Sequence, residues 1–509
     1  MKFMQTHKVY LTPISPIHIG CGEDFEPTNY VIDENVLYHF DPVNLKLNEQ
    51  QRIDLLNRAN NLDLLAIQRF FLKNKEQAVS FANYFADVVS GLANDYKNKI
   101  GKVAQRENDG NKVINNLFIE RTAYLPLKHL PYIPGSSFKG ALATALLNYE
   151  HKKRNYPKVR KEDSKKLVQF YLGEFAESRL RTVKFGDFIP VKPAHSKIFY
   201  SLNFKKVPTQ KGGKGKGKGI TLRRECILAG QYRTFQSELT LWEGENLSVK
   251  SYFQLLNDYH KAIFAAECGM LFQRKLVSKE WVSGVLKLIE TNKVALVRLG
   301  KNGADSKVYQ GDVAQIKIMK GKGEKPDFRS SATTVWLAAG QESQSSDLLP
   351  LGWAILEVDP TEDNELLKQW CEAQPKPQFD RAALIAKRQA QKDEVEAQKQ
   401  AKLAEEKAKA EILNSLSDNQ RLVEEKLAQW AVQEKKPFTA SPIFSEAKKL
   451  LEEAQQWDKA DRQYLYEKID PTESNKGLQK YVDGLSGFNN LKAKSAVEFK
   501  KLRNKLVVE

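Results

Sequence analysis

The sequence predicts an α+β protein that ends in an all-α module. Strand-like runs and stretches of helical periodicity alternate up to about residue 360. Beyond them, residues 380–413 are rich in Ala, Glu, Lys and Gln and poor in large apolar residues, which is typical of a long helix. Hydrophobic residues make up 41% of the 509 residues and charged residues 28%, so the chain can bury a core and general disorder is excluded.

Two runs near the start of the chain have the residue types of strands. They are Lys8–Ile14 and Asn29–Phe40, and the turn-forming group at residues 33–35 makes the second run a hairpin. Further strand-like runs follow at Thr182–Ile189, Lys197–Phe204, Ile220–Ala229, Phe235–Trp242, Val294–Leu299 and Trp353–Val358.

Helical periodicity first appears between Glu49 and about Lys99, which predicts a helical insertion after the first hairpin. Residues 249–271 and 278–292 predict two more helices. Strands interleaved with helices in this order are typical of an α+β protein with more than one sheet unit.

The C-terminal part predicts a separate helical module. An unbroken helix over 380–413 would be roughly 50 Å long. Ser417 and Gln420 then have the spacing of a capping box and predict the start of the next helix. Together these features predict three domains, over residues 1–150, 151–370 and 371–509.

The positive charge is concentrated in one segment. The formal net charge of the chain is +17, and residues 151–224 contain 21 basic and 5 acidic side chains, a net charge of +16. Such a concentration favours one surface that faces a polyanion over a uniformly basic protein.

The sequence contains no pattern that indicates a metal, a cofactor or a membrane. The four cysteines lie far apart without a CxxC pair, so we expect reduced thiols and no structural zinc. No run approaches the roughly 18 apolar residues of a membrane span, and we expect a cytoplasmic protein.

The first candidate motif lies in the loop after the first strand, where His18 and Gly20 follow two prolines. His18 could act as a general base or donate a hydrogen bond to a phosphate. The alternative is a loop histidine that backbone groups satisfy.

The second candidate is a loop-to-helix junction at Gly135-Ser136-Ser137-Phe138-Lys139. Ser136 or Ser137 could cap the helix, and the amides of its first turn with Lys139 could bind an anion. The spacing is not that of a Walker motif, so nucleotide hydrolysis is not expected. An ordinary helix cap is the alternative.

The third candidate is a loop that alternates glycine with lysine. Glycines allow close approach to a phosphate chain, and each lysine adds a cation, although a solvated loop is the alternative. Its basic residues are Lys211, Lys214, Lys216 and Lys218, followed by Arg223 and Arg224.

A fourth candidate is the basic turn that begins with Arg298 and contains Lys301. Arg298 could bind phosphate with two hydrogen bonds or form an internal salt bridge. No nucleophile elbow, HExxH motif or kinase motif occurs, so an enzyme is not the favoured interpretation.

Four of these segments together resemble the RAMP superfamily of CRISPR proteins, and their order and spacing are most similar to a subunit family of the type III-A (Csm) effector. They are Thr12–Gly20, Ile133–Ala141, Arg298-Leu299-Gly300 and Leu351-Gly352-Trp353. The resemblance covers residues 1 to about 360. The pronounced glycine–lysine loop and the helical end after about residue 370 depart from the family pattern.

The resemblance implies tandem ferredoxin-like units and a non-catalytic RNA-binding subunit that caps the complex at the 3′ end of the guide crRNA. It implies a neighbouring repeated RAMP backbone subunit, and a role in guide maturation through host nucleases. By motif position it assigns RNA contact to three sets of residues, which are His18 and Gly20, then Gly135, Ser136, Ser137 and Lys139, and finally Arg298, Gly300 and Lys301.

Two alternatives stay open at this point. Some RAMP relatives are metal-independent endoribonucleases, in which His18 here would act as the general base. The helical end could be a bundle fused to the cap, a docking arm for another protein, or a solvated spacer.

Overall fold

The computed structural model describes residues 3–106, 112–115, 117–154, 164–174, 176–207, 221–290, 293–300, 316–319, 323–329, 331–377, 379–473 and 476–507. The chain divides into two compact units, residues 1–388 and 389–509.

The first unit holds the strands, which in chain order are β1 (Met4–Pro13), β2 (Gly20–Phe25), β3 (Tyr30–Asp33), β4 (Val36–His39), β5 (Tyr84–Val88), β6 (Val103–Arg106), β7 (Lys112–Ile114), β8 (Ile119–Thr122), β9 (Tyr124–Leu125), β10 (Leu130–Pro131), β11 (Val183–Phe185), β12 (Ile189–Pro190), β13 (Ser196–Lys205), β14 (Leu222–Ile227), β15 (Phe235–Trp242), β16 (Ala295–Arg298), β17 (Ile316–Ile318), β18 (Asp327–Arg329), β19 (Thr334–Ala339), β20 (Leu349–Pro350) and β21 (Trp353–Val358). The helices in chain order are α1 (Glu49–Asn60), α2 (Leu64–Lys73), α3 (Lys75–Ser80), α4 (Ser90–Lys99), α5 (Gly135–Arg154), α6 (Ser164–Leu172), α7 (Val249–Gln273), α8 (Lys279–Ile289), α9 (Glu365–Glu372), α10 (Arg381–Ser415), α11 (Asp418–Ala431), α12 (Pro442–Glu453), α13 (Lys459–Lys468) and α14 (Lys494–Lys505).

The first sheet has the strand order β11-β15-β1-β21-β16, and each of these neighbouring pairs is antiparallel. Buried and exposed side chains alternate along β15, so one face of the sheet is covered there and the other is open, whereas β16 and β21 at the other end are buried on both faces. Helices α5 and α7 cover the buried face, where Leu142, Leu146 and Leu256 join the sheet residues in one apolar core. A two-layer arrangement of this kind fits the expected ferredoxin-like unit.

The second sheet has the order β2-β8-β14-β13-β5-β4-β3, with β19 also paired to β13 and β20 to β19. Two of its pairings are parallel, β13 with β5 and β14 with β8. Its core contains Tyr84, Tyr200 and Leu337. The predicted α+β class is therefore confirmed.

Most predicted elements occur where the sequence places them. The hairpin consists of β3 and β4, and Glu34 and Asn35 at its turn have φ of 46° and 62°, the left-handed conformation that tight hairpin turns need. The strands predicted at residues 235–242 and 353–358 match β15 and β21 at both ends.

The helical insertion is predicted wrongly at one point, because residues 84–88 form strand β5. All five side chains of β5 are buried, and its backbone pairs with β4 on one side and β13 on the other. A strand covered on both faces has a continuous apolar run, which periodicity does not distinguish from a buried helix.

The predicted division at residue 150 does not coincide with a break between sheets. Strand β1, from before this position, pairs with β15 and β21, which follow it. In the second sheet β8 pairs in the same way with β14. Residues 1–388 consequently form one compact unit.

The second unit is helical, as predicted. The long helix extends over Arg381–Ser415, and Ser417 and Gln420 form the predicted capping box in front of α11. Helices α11 to α14 enclose an apolar core that includes Trp430, Phe444 and Phe499.

The described residues show no feature of a membrane span or of a metal centre. No helix in them is long and apolar enough to cross a membrane. No group of three or more His, Cys, Asp or Glu side chains in them is arranged to hold a metal ion. All four cysteines are free thiols, with Cys21 exposed and the others buried.

We expect the substitution Ser417→Ala to lower the free energy of unfolding of the helical unit by about 1–2 kcal/mol. The Ser417 hydroxyl accepts the Gln420 amide at 3.2 Å and donates to the Asp461 carboxylate at 2.5 Å, so alanine removes two interactions. Hydrogen exchange of the α11 amides measures the loss. Ser417→Thr, which keeps the hydroxyl, is the control, and equal exchange in both variants would contradict the prediction.

Candidate nucleic-acid interface

Three of the four motifs meet through their backbones. The Leu299 amide donates to the Gly352 carbonyl at 2.8 Å, and the Gly352 amide donates to the Pro16 carbonyl at 2.8 Å. The Trp353 amide donates to Ser15 Oγ, also at 2.8 Å. We call this meeting of residues 14–18, 298–300 and 351–353 the motif junction.

Glycine is required at two positions of the motif junction. Gly300 has φ +94° and Gly352 has φ +95°, a conformation that side chains strongly disfavour. A Cβ on Gly300 would lie within 3.0 Å of the His18 carbonyl oxygen, and one on Gly352 equally close to the Leu299 carbonyl oxygen. The backbones can approach this closely only because both side chains are missing.

A buried ion pair between Arg298 and Glu267 stabilises the motif junction. Arg298 is 3% exposed, and its Nη1 lies 2.5 Å from Glu267 on α7. Its Nε donates to the Leu351 carbonyl, and the Trp353 indole N–H donates to the same Glu267 carboxylate. Arg298 therefore forms the internal salt bridge that was the alternative to phosphate binding, and its guanidinium does not face solvent.

His18 is also inside the protein. Its side chain is completely buried, Nδ1 lies 2.8 Å from the Glu225 carbonyl oxygen, and Nε2 lies 3.5 Å from Glu120. Contacts of this kind are those of a structural histidine. Direct RNA contact or general-base catalysis by His18 would require it to leave this position, so we correct that assignment.

Next to His18, the carboxyl group of Glu225 lies in a closed polar cluster. Burial raises the pKa of Glu225, although hydrogen bonds from Ser196, Tyr84 and the Thr122 amide act in the opposite direction. The cluster joins β5, β8, β13 and β14 and fixes the second sheet beside the motif junction.

The two arginines after the glycine–lysine loop differ in their surroundings. Arg224 is 5% exposed, and its Nε lies 2.6 Å from Glu120. Its guanidinium also lies over the ring of Trp336, at 5.2 Å. Arg223 is half-buried on the same strand. Of the two arginines, Arg224 thus has a structural role.

The loop-to-helix motif leaves its polar side chains at the surface. Helix α5 begins at Gly135, whose amide donates to the Asp187 carboxylate at 2.8 Å. Asp187, from the loop between β11 and β12, provides the cap that Ser136 or Ser137 was expected to provide, because the helix starts before both serines. Ser136 is exposed, and Ser137 is half-buried.

Lys139, in the first turn of α5, has a second lysine beside it. Partial burial lowers the pKa of Lys139, and the charge of Lys184 on β11 lowers it further. Lys184 is exposed, and the sequence alone did not single it out. Two lysines therefore lie near the N-terminus of α5, which itself favours anions.

The remaining predicted residues are Gly20 and the loop lysines. Gly20 is exposed and begins β2, opposite Thr122. Lys211, Lys214, Lys216, Lys218 and Lys301 lie outside the described residues. The glycine–lysine loop joins β13 to β14, which pair with Ser201 opposite Leu222.

The predicted site residues therefore fall into two groups. His18, Arg224 and Arg298 are buried and hold the motif junction and the second sheet together. Gly20, Ser136 and Lys139 retain exposed surface, and RNA contact at these positions stays a prediction.

The sequence pattern of the RAMP superfamily matches residues 10–263, which include the first two motifs, α5 and most of α7. Residues 10–263 are thus a RAMP superfamily domain, and the resemblance drawn from the motifs is confirmed.

Among individual proteins, the chain is similar to the CRISPR system protein Csm5 of Streptococcus thermophilus. The two are 30% identical over 159 residues, which are 30% of this chain and 40% of that protein. The match thus spans about two fifths of the relative's length.

Two solved structures are similar in fold. One is a chain of the Csm–crRNA–target RNA ternary complex of a type III-A CRISPR–Cas system, with 16% identity, a TM-score of 0.44, and coverage of 69% of this chain and 100% of that chain. The other is Csm5 of T. onnurineus, with 15% identity, a TM-score of 0.43, and coverage of 68% and 99%.

We expect Gly352→Ala to lower the free energy of unfolding by about 3 kcal/mol or more. The new Cβ would overlap the Leu299 carbonyl oxygen at a positive φ, so the motif junction would have to open. Thermal or denaturant unfolding of the full chain measures the loss. Gly269→Ala is the matched control, since a Cβ there meets nothing within 4 Å on a helix, and it should be neutral or stabilising.

Proposed function

We propose that this protein is a non-catalytic RNA-binding subunit of a type III-A CRISPR ribonucleoprotein. The RAMP domain over residues 10–263 and the likeness to Csm5 support this assignment. The observation that carries it is the location of the excess charge, because residues 151–224, with a net charge of +16, lie entirely within the RAMP domain.

Positive charge at the surface is what phosphate binding needs. Lysine and arginine side chains that neutralise phosphates release counterions, and this supplies most of the sequence-independent affinity for RNA. Lys139 and Lys184 are described surface cations of this kind. The four lysines of the glycine–lysine loop, which belong to the same basic segment as Lys184, would add to them.

The endoribonuclease alternative needs His18 as its general base, and the position of His18 does not suit that role. His18 is completely buried, and its Nδ1 contacts a backbone carbonyl, so its imidazole cannot reach the 2′-hydroxyl of a bound RNA. We therefore do not propose RNA cleavage by this chain.

Within the complex, we propose that the subunit caps the 3′ end of the guide crRNA, next to the repeated RAMP backbone subunit. Such a cap would support assembly of the complex and maturation of the guide, with host nucleases trimming the RNA that extends beyond it. The helical unit over 389–509 has its own apolar core and would act as an attached module.

We expect replacement of Lys211, Lys214, Lys216 and Lys218 by alanine to weaken binding of single-stranded RNA regardless of its sequence. The logarithm of the RNA association constant K falls with the logarithm of the salt concentration. Each lost phosphate contact should make this slope less steep by about 0.7, so the four substitutions together should reduce its steepness by up to about 3. Fluorescence anisotropy from about 50 to 200 mM salt measures this change.

The matched control removes the same charge from the long helix α10, by replacing Lys399, Lys402, Lys407 and Lys409 with alanine, all of which are exposed. Equal loss of affinity in both variants would show that the effect comes from the net charge of the chain and not from the loop. Unchanged affinity in the loop variant would show that the loop is solvated and contacts no RNA.

We expect photoreactive nucleotides at the 3′ end of a guide RNA to crosslink to this subunit in the assembled complex, and those at the 5′ end not to. Crosslinks from the 5′ end alone would contradict the cap.

We expect incubation of the same RNA with the purified chain in EDTA to yield no cleavage. Site-specific cleavage would support the endoribonuclease alternative instead.

A further inference from the structure

A pair of aromatic rings is exposed at one end of the first sheet. The Trp242 side chain, at the end of β15, is 43% exposed, and Phe3, immediately before β1, is 61% exposed. Their ring centroids are 5.8 Å apart. All seven tryptophans lie in described residues, and Trp242 is the most exposed of them.

The Trp242 ring belongs to the open face of the sheet, and the Phe3 ring lies beside it. Along β15 the side chains of Leu239 and Leu241 are buried under the helices, so Trp242 and Thr240 point to the opposite face. Met4 is paired with Trp242 across the strands and is 45% exposed. The exposed apolar surface thus continues from β15 onto β1.

A cation lies beside the rings. Lys184 is paired with Thr240, so the two side chains share the open face, and Lys184 Nζ is 6.0 Å from the Trp242 ring. Lys184 is also the residue whose charge acts on Lys139 at the start of α5. The two rings and Lys184 therefore form a row at this end of the sheet.

We propose that the Trp242 and Phe3 rings are a stacking site for a base of single-stranded RNA, whose adjoining phosphate contacts Lys184. This inference rests on the proposed RNA-binding function and assigns that function a base-contacting site.

The chemistry of the row favours single-stranded RNA as the occupant. An unpaired base presents a flat apolar face for the rings and an adjoining phosphate for the Lys184 cation, which are the two features that the row offers. The Thr6 and Thr240 hydroxyls, 3.1 Å apart on the same face, lie on the neighbouring register pair and can bond to sugar or base. Stacking on aromatic rings tolerates every base, so the site would bind without sequence preference.

The test compares RNA affinities of the full chain and its variants. Loss of one stacked base is worth about 1–3 kcal/mol, so Trp242→Ala should bind single-stranded RNA about 5- to 150-fold more weakly than the wild type. Trp242→Phe should keep most of the affinity. Phe272→Ala, at an aromatic residue that is 46% exposed near the end of α7, is the matched control and should have no effect.

Salt dependence separates stacking from phosphate contact. Trp242→Ala should leave the slope of log K against log salt concentration unchanged, whereas Lys184→Ala should reduce it by about 0.7. Abasic RNA should bind wild type and Trp242→Ala equally. Bound RNA should also protect wild-type tryptophan fluorescence from acrylamide quenching, and this protection should disappear in Trp242→Phe.

Each negative outcome of these binding experiments leads to a different conclusion. If the wild type binds RNA and Trp242→Ala binds it equally well, the stacking site is wrong and the proposed function stands. If Trp242→Ala instead loses a neighbouring subunit on co-purification with RNA affinity intact, the rings are a protein contact, and the inference is overturned. If the wild type binds no RNA at all, both the function and the site are overturned.

Discussion

The described part of the RAMP unit depends on three segments of backbone that touch one another without intervening side chains. At the motif junction the peptide groups of residues 16, 299 and 352 are joined by hydrogen bonds of 2.8 Å. Two glycines at positive φ make the approach possible. Because the junction joins the end of β1 to the end of β16 and the start of β21, it fixes the centre of the first sheet.

The charged residues of the motifs follow from this constraint. A buried guanidinium needs a charged partner, because burial removes its contact with water. At the motif junction the Glu267 carboxylate on α7 pairs with Arg298 at 2.5 Å, and both side chains are almost completely buried. His18, Glu120 and Arg224 form a similar internal group in the second sheet. Charges used in this way hold the fold, so the proposed phosphate contacts fall to cations at the surface, such as Lys139 and Lys184.

The open face of the first sheet gives the molecule a second kind of surface. An antiparallel sheet needs a covering layer on one face only, and α5 and α7 provide it. The opposite face can then present side chains to a ligand, and at one end it presents two aromatic rings and a lysine. Rigid strands hold these groups in fixed register, which a mobile loop cannot do.

Local sequence patterns determined much of this protein. Periodicity and turn chemistry correctly placed the first hairpin, the strands at 235–242 and 353–358, the long helix and the Ser417 capping box, because each depends on residues a few positions apart. The glycine-containing motifs likewise indicated the superfamily before any contact was known.

Only the tertiary structure decided which distant groups meet. It made a strand of residues 84–88, paired Arg298 with Glu267, capped α5 with Asp187 from 52 positions away, and buried His18 against Glu225. It also combined strands from both sides of residue 150 in shared sheets. A sequence specifies the donors, acceptors and charges of each segment, but the partner that each group finds is set by long-range packing, since buried polar groups must be satisfied by whatever the fold brings beside them.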